Sequence, residues 1–200
     1  VQGIDFGAIE DEVMTVRWGD CLFLGCEMPP RVSCYLSMDN YVFPRLDVPF
    51  KTYPKTLYDG ASLYEGYRRG LPESYQDCYD KRVYDYYKGS ERKPSIKDSL
   101  AQTLHDHSIT ENLNDFLSPY PVHKIVAIMG GHSAARTDGM YRQVVLLSKR
   151  LTELGYLLLS GGGPGAMEAT HLGAWLAGHS EEVVEEALGI LSSAPKYSDE

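Results

Sequence analysis

No stretch of the 200-residue chain approaches the roughly 18 consecutive apolar residues of a membrane span, and the opening Val1-Gln2-Gly3-Ile4-Asp5 has neither a basic segment nor an apolar one. A cytoplasmic protein with no membrane partner is expected. Cysteine is scarce. Cys21, Cys26, Cys34 and Cys78 form no CxxC pair and no Cys/His group at zinc spacing, so reduced, half-buried thiols and no metal are expected. Positive charge is also short, with 19 Lys+Arg against 28 Asp+Glu for a formal net charge of -9. Such an excess of acid repels phosphate backbones at long range, which excludes a nucleic-acid partner from the expectation and requires any anionic ligand to be held locally. The remaining composition, 43% hydrophobic and 24% charged, suits a globular chain with one core or two small ones.

Tyrosine is abundant, at 15 residues, with nine of them between Tyr53 and Tyr87. Packing or an interface is the favoured use of that density, with stacking on a base as the other. The first fifty residues lack a helical period. Thr15–Trp18 and Cys21–Cys26 read as short strands, and apolar residues recur every five positions at Ile4, Ile9 and Met14, then at Trp18, Phe23 and Met28. That spacing suits a turn of β-solenoid but gives too few rungs for a repeat. Pro29-Pro30 closes the stretch, Tyr41-Val42-Phe43 reads as a further strand, and Val48 to Tyr58 reads as a covering arm or linker. Helices are expected next. Ser74 with Asp77 opens a tyrosine-faced one closed by Gly89, a polar passage covers Ser90 to Ser95, and Ile96, Leu100 and Leu104 mark a second. Ser108-x-x-Glu111 opens a third carrying Leu113, Phe116 and Leu117. Ser118-Pro119-Tyr120-Pro121 then sets the expected boundary between a mixed α+β accessory region, 1–120, and a second domain, 121–200.

From His123 the pattern becomes that of an α/β unit. Lys124–Met129 is a near-continuous apolar run of strand length, as expected of a parallel strand covered on both faces. Gly130-Gly131-His132-Ser133 follows at once, and Met140, Val144, Leu147, Leu151 and Leu154 keep a 4-3-4-3 helical stripe closed by Gly155. Tyr156–Ser160 is a second strand. It runs into Gly161-Gly162-Gly163-Pro164-Gly165-Ala166-Met167-Glu168 and a helix reaching Gly178. The acidic run Glu181–Glu186 reads as a solvated helix face.

Glycine removes the Cβ that would keep a phosphate at a distance and allows positive φ, so N–H groups can turn toward an anion. The next helix brings the positive end of its dipole to the same place. Parallel connectivity sets both turns at the carboxyl edge of the sheet, where ligands of doubly wound folds bind. Gly161-x-Gly163-x-x-Ala166 meets the loose dinucleotide pattern, yet it follows the second strand, contains Pro164, and lacks an acidic residue about 20 positions on. No NAD site is expected. Lys with Ser/Thr after a glycine loop is missing too, which excludes a P-loop, and no cofactor is assigned.

These strings, Met129-Gly130-Gly131-His132-Ser133, the helix with Tyr141, Ser160 through Ala169, and Gly173-Ala174 through Gly178-His179, resemble the LOG family, once labelled lysine-decarboxylase-like. Within it the similarity is closest to the pyrimidine/purine nucleotide 5′-monophosphate nucleosidases, and it covers about residues 121 to 180. The resemblance implies a Rossmann-like fold that binds a nucleoside 5′-monophosphate or related phosphate and hydrolyses its N-glycosidic bond to free base and ribose 5-phosphate. It assigns phosphate and ribose contacts to Gly130, Gly131, His132, Ser133, Gly161, Gly162, Gly163, Pro164, Gly165, Met167 and Glu168.

The family's second signature, a PGGxGTxxE loop carrying the hydrolytic glutamate, does not occur in these residues. No catalytic residue is therefore assigned, and the Rossmann-like sheet is expected to be incomplete, with a second segment or protomer supplying the rest and a homo-oligomer as its setting. The chain is accordingly expected to be the N-terminal part of a longer polypeptide. Glu168 is read either as a group polarising a ribose hydroxyl or as a first-turn carboxylate favourable to the helix dipole. His132 is read as touching ligand or capping, Arg136 and Arg142 as solvent-exposed cations within reach of phosphate, and His105-Asp106-His107 as no metal site. Two other functions stand beside hydrolysis: a non-catalytic nucleotide sensor or scaffold, and a DNA-processing protein of the Smf/DprA type, which the net charge disfavours.

Overall fold

The computed structural model describes residues 1–90, 94–196 and 198, and the chain divides into two compact units, Val1–Leu117 and Ser118–Glu200. It is an α/β protein whose strands pair in parallel, two in each unit. Parallel neighbours cannot be joined by a tight hairpin, so each pair is bridged by a helix.

In the first unit, α1 (Glu10–Thr15) precedes β1 (Leu22–Leu24), α2 (Pro30–Leu36) and β2 (Tyr41–Phe43). Strand β1 pairs with β2 from Leu22↔Tyr41 to Leu24↔Phe43, making a small βαβ unit where short strands without helices were expected. Pro30 occupies the first turn of α2, a position that needs no amide donor, so the Pro-Pro pair starts a helix here. Thr15–Trp18 is no strand, because α1 ends there. The five-residue period builds no solenoid: Ile4 and Ile9 are exposed, while Phe6, Val13, Phe23, Val32 and Leu36 form the core. Cys78 is buried and Cys34 exposed, so the thiols do not share one environment.

The passage from Val48 to Tyr58 has no regular structure and belongs to this unit, with Lys51 N donating to the Tyr79 hydroxyl at 3.0 Å. A single turn, α3 (Gly60–Leu63), is opened by an Asp59–Ser62 capping box. Ser74 opens no α-helix. Its buried hydroxyl instead accepts from Arg68 N at 2.8 Å and donates to Leu71 O at 2.6 Å, and α4 (Tyr79–Ser90) begins five residues later. Residues 91–93 of the expected polar passage lie outside the described residues.

The two helices expected between Ile96 and Leu117 are one, α5 (Ile96–Leu117). Ser108 fails to break it because its hydroxyl donates back to Leu104 O at 2.9 Å, as serine does inside a helix. The start signal that prevails is Ser95 with Asp98: Asp98 N donates to Ser95 Oγ at 3.1 Å and Ser95 N to Asp98 Oδ2 at 3.1 Å. Hydrogen bonds, from Ser95 first and then from Tyr86, hold the Asp98 carboxyl below its ordinary 3.8.

In the second unit β3 (Ile125–Ile128), α6 (Gly139–Glu153), β4 (Leu157–Ser160), α7 (Ala166–Trp175) and α8 (Glu181–Leu191) follow in order. Strands β3 and β4 run parallel in register from Ile125↔Leu157 to Ile128↔Ser160. Gly155 ends α6 in a Schellman turn, with Tyr156 N bonded to Leu151 O and Gly155 N to Thr152 O. The core is Tyr141, Val145, Ala169, Leu176, Val184 and Leu188. It is not the expected 4-3-4-3 stripe. Met140, Leu147 and Leu154 of that stripe are about half exposed, because α6 turns its other face, Tyr141, Val145 and Ser148, toward α7. What decides the rotation is Gly173, where a Cβ would overlap the Val145 carbonyl and touch Ser148 Cβ at 2.8 Å. Small residues at that crossing let the backbones meet, and Trp175 is left 83% exposed on the outer side.

Two outcomes follow from these contacts. Gly173→Ala should cost about 1–3 kcal/mol by overpacking, whereas Gly189→Ala on α8, where a Cβ meets nothing, should add about 0.5–1 kcal/mol; urea titration of both variants against the parent measures the pair. Asp98→Asn tests the α5 start. A carboxyl whose folded pKa is depressed contributes stability above its unfolded pKa and loses it as pH falls through the folded one. The thermal midpoint of the variant should therefore lie below the parent's at neutral pH and converge with it in acid beneath 3.8.

Candidate functional site

Both glycine turns leave the same edge of the β3–β4 pair, since the strands are parallel and Ile128 faces Ser160. The turns touch. The Gly131 carbonyl accepts from Ala134 N at 3.0 Å within its own turn and from Ala166 N at 3.2 Å across to the second. Gly165 packs so closely that a Cβ there would overlap the Gly131 oxygen, and one on Gly131 would lie 2.7 Å from Ala166 Cβ. Both residues have positive φ, +64° at Gly131 and +73° at Gly165, so the sequence can hold this contact only with glycine.

Gly165 is also the residue before α7, and no side chain caps that helix. Of its first amides Ala166 is taken by Gly131, and the dipole's positive end lies at this turn. His132, Ser133, Pro164, Gly165 and Glu168, all expected site residues, line one cavity of about 210 Å³ together with Arg136 and Pro195. The other expected residues lie outside its lining. Gly130, Gly161 and Gly162 are exposed, and Met167 lays its thioether over Gly161 and Gly163, 2.5 Å from where a Gly163 Cβ would stand.

Arg136 corrects the expectation of an exposed cation. Its side chain is 8% exposed, with Nε 2.8 Å from Glu168 Oε1 and Nη1 donating to Ala194 O at 2.9 Å, while its main-chain N donates to Pro195 O at 2.8 Å. Glu168 stands in the first turn of α7, one of its two expected readings, and is also half of an ion pair. Arg142 is half exposed and pairs with Glu185 at 2.5 Å, on a different face of α6. Beside the Arg136–Glu168 pair sits Tyr141, fully buried, with no hydrogen-bond partner for its hydroxyl among the described residues. Burial first and the Glu168 charge second push this phenol well above its ordinary value, so it stays a neutral donor.

Sequence reasoning missed Ser160 with His171. The hydroxyl lies 2.6 Å from His171 Nε2 and accepts Gly162 N at 3.1 Å, which fixes the start of the second turn. The signal was a serine ending a strand and a histidine one helical turn beyond Met167, too common to single out. Among the described residues no group of three or more His, Cys, Asp or Glu gathers at metal-binding distance.

The arrangement can hold an anion by amides and a helix terminus beside a buried neutral phenol and an internally neutralised ion pair. Comparison with protein-family models, with curated proteins and with solved structures finds no match to this chain.

The two arginines give a matched test. Arg136→Ala strands the Glu168 carboxylate and frees the Ala194 carbonyl, and should cost roughly 2–4 kcal/mol. Arg142→Ala, losing a half-exposed pair, should cost under about 1 kcal/mol. Thermal and urea unfolding of both variants rank them.

Proposed function

We propose that residues 118–200 form a nucleotide-binding unit of Rossmann-like, LOG type that holds the phosphate of a nucleoside 5′-monophosphate between the Gly130–Ser133 and Gly161–Gly165 turns. The observation that carries this reading is the bond from Ala166 N to the Gly131 carbonyl with the close seat of Gly165, which joins two glycine turns into one wall beside an uncapped helix start. Amides do this work whatever the protein's net charge of -9. The function served is hydrolysis of the N-glycosidic bond once a segment bearing the PGGxGTxxE loop, from the same or another polypeptide, completes the sheet. In that reaction the bond from ribose C1′ to the base nitrogen breaks, water gives its hydroxyl to C1′, and its proton goes to the base. Glu168, tethered by Arg136, would accept from a ribose hydroxyl. A second reading, a nucleotide sensor without chemistry, is favoured by the same ion pair, because the Glu168 carboxylate is already engaged by Arg136.

Calorimetry with AMP, GMP and inorganic phosphate tests the cradle. The parent should bind the monophosphates, Gly165→Val and Gly163→Val should weaken them about tenfold or more, and Tyr141→Phe, outside the cavity lining, should leave them unchanged while keeping or raising the melting temperature, since it deletes a buried hydroxyl without a partner. Unchanged AMP and GMP affinity in a folded Gly163→Val protein, or no binding by the parent, overturns the reading. Chromatographic detection of free base from a monophosphate separates hydrolase from sensor.

A further inference from the structure

The tyrosines of the first unit do more than fill space. A cavity of about 420 Å³ opens between α4, α5 and the Val48–Tyr58 passage, walled by Phe50, Tyr58, Tyr79, Tyr84 and Tyr87 with His105. That volume lies in the range of small-molecule sites. Its polar groups are tied to one another. The Tyr58 hydroxyl is 2.9 Å from that of Tyr79 and 3.3 Å from His105 Nε2, and the Tyr58 ring stacks on the His105 ring at 5.9 Å and 25°. Phe50 meets His105 edge-on at 5.7 Å, and His105 Nδ1 is 3.0 Å from Asp106 Oδ1. The rings are therefore held in place before any ligand arrives, which lowers the ordering cost of binding.

Two features select the ligand. Among the described residues the lining includes two carboxylates, Asp80 and Asp106, and no lysine or arginine. The chain's own ammonium groups already lie near three rings of this wall, Lys51 Nζ 5.9 Å from the Tyr58 centroid and 5.8 Å from that of Tyr79, and Lys81 and Lys88 5.7 and 5.8 Å from that of Tyr84, so a ligand cation competes with them and depends on the two carboxylates. Aromatic faces arranged around a cavity with acid in its lining suit a bulky, weakly hydrated cation better than a flat neutral base or a phosphate. We infer that this cavity is a binding site for a small organic cation, a quaternary or methylated ammonium, held by the tyrosine faces and by Asp80 and Asp106. It lies wholly in the first unit and does not depend on the nucleotide reading.

Calorimetry on the full chain with choline, with its uncharged isostere 3,3-dimethylbutan-1-ol, and with adenosine decides the matter. Choline should bind about tenfold or more tightly than the isostere. Tyr84→Leu and Asp106→Asn, both at exposed side chains, should each weaken choline several-fold without moving the melting temperature. Equal binding of choline and the alcohol, binding of adenosine in place of choline, no heat from choline up to tens of millimolar, or full affinity in Tyr84→Leu would each overturn the assignment.

Discussion

Helix α7 is pinned at two points by the absence of a side chain. At Gly165 its start lies against the Gly131 carbonyl, and at Gly173 its middle lies against the Val145 carbonyl of α6. Ten residues thus fix the spacing between the two glycine turns and the rotation of α6 about its axis. Once α6 faces α7 with Tyr141, Val145 and Ser148, the phenol must sit beside Glu168, and Arg136 can close the pair from the turn before α6. The electrostatics of the site are a consequence of how closely two backbones approach.

Hydrophobic spacing and glycine placement made much of the second unit legible. The two strands, the turns between them and the Gly155 stop could be read because parallel strands are continuous apolar runs and a left-handed C′ position needs glycine. The face of α6 could not. Its 4-3-4-3 stripe is the stronger hydrophobic signal, but burial followed Gly173 and Ser148, and small residues leave no mark on a hydrophobic pattern. In the first unit Tyr41–Phe43 was readable as a strand, whereas α1 and α2 are too short to show a period. The Ser108-x-x-Glu111 signal competed with a helix already propagating from Ser95 and lost, since continuing costs one residue's ordering while restarting needs a new nucleus.

The candidate site was legible as a place and not as a set of contacts. His132, Ser133, Pro164, Gly165 and Glu168 line one cavity, while Gly161 and Gly163 lie beneath Met167. The partners of Glu168 come from residues 32 positions earlier and of Arg136 from residues 58 positions later, separations that local pattern cannot bridge. The tyrosine-rich segment shows the converse: its density was plain in the sequence, but Tyr58 meets Tyr79 and His105 across separations of 21 and 47 positions, which local pattern does not show.

Arg136 donates to the carbonyls of Ala194 and Pro195 as well as to Glu168, which makes the short stretch after α8 a cover over an ion pair. When that stretch lifts, water enters, the effective dielectric around the pair rises, and the attraction between guanidinium and carboxylate falls several-fold. The pair in turn keeps the guanidinium aimed at the Ala194 carbonyl, while the Arg136 main-chain N holds the Pro195 carbonyl. Cover and charge pair therefore open and close together, and the lining that Glu168 shares with Pro195 and Lys196 opens with them.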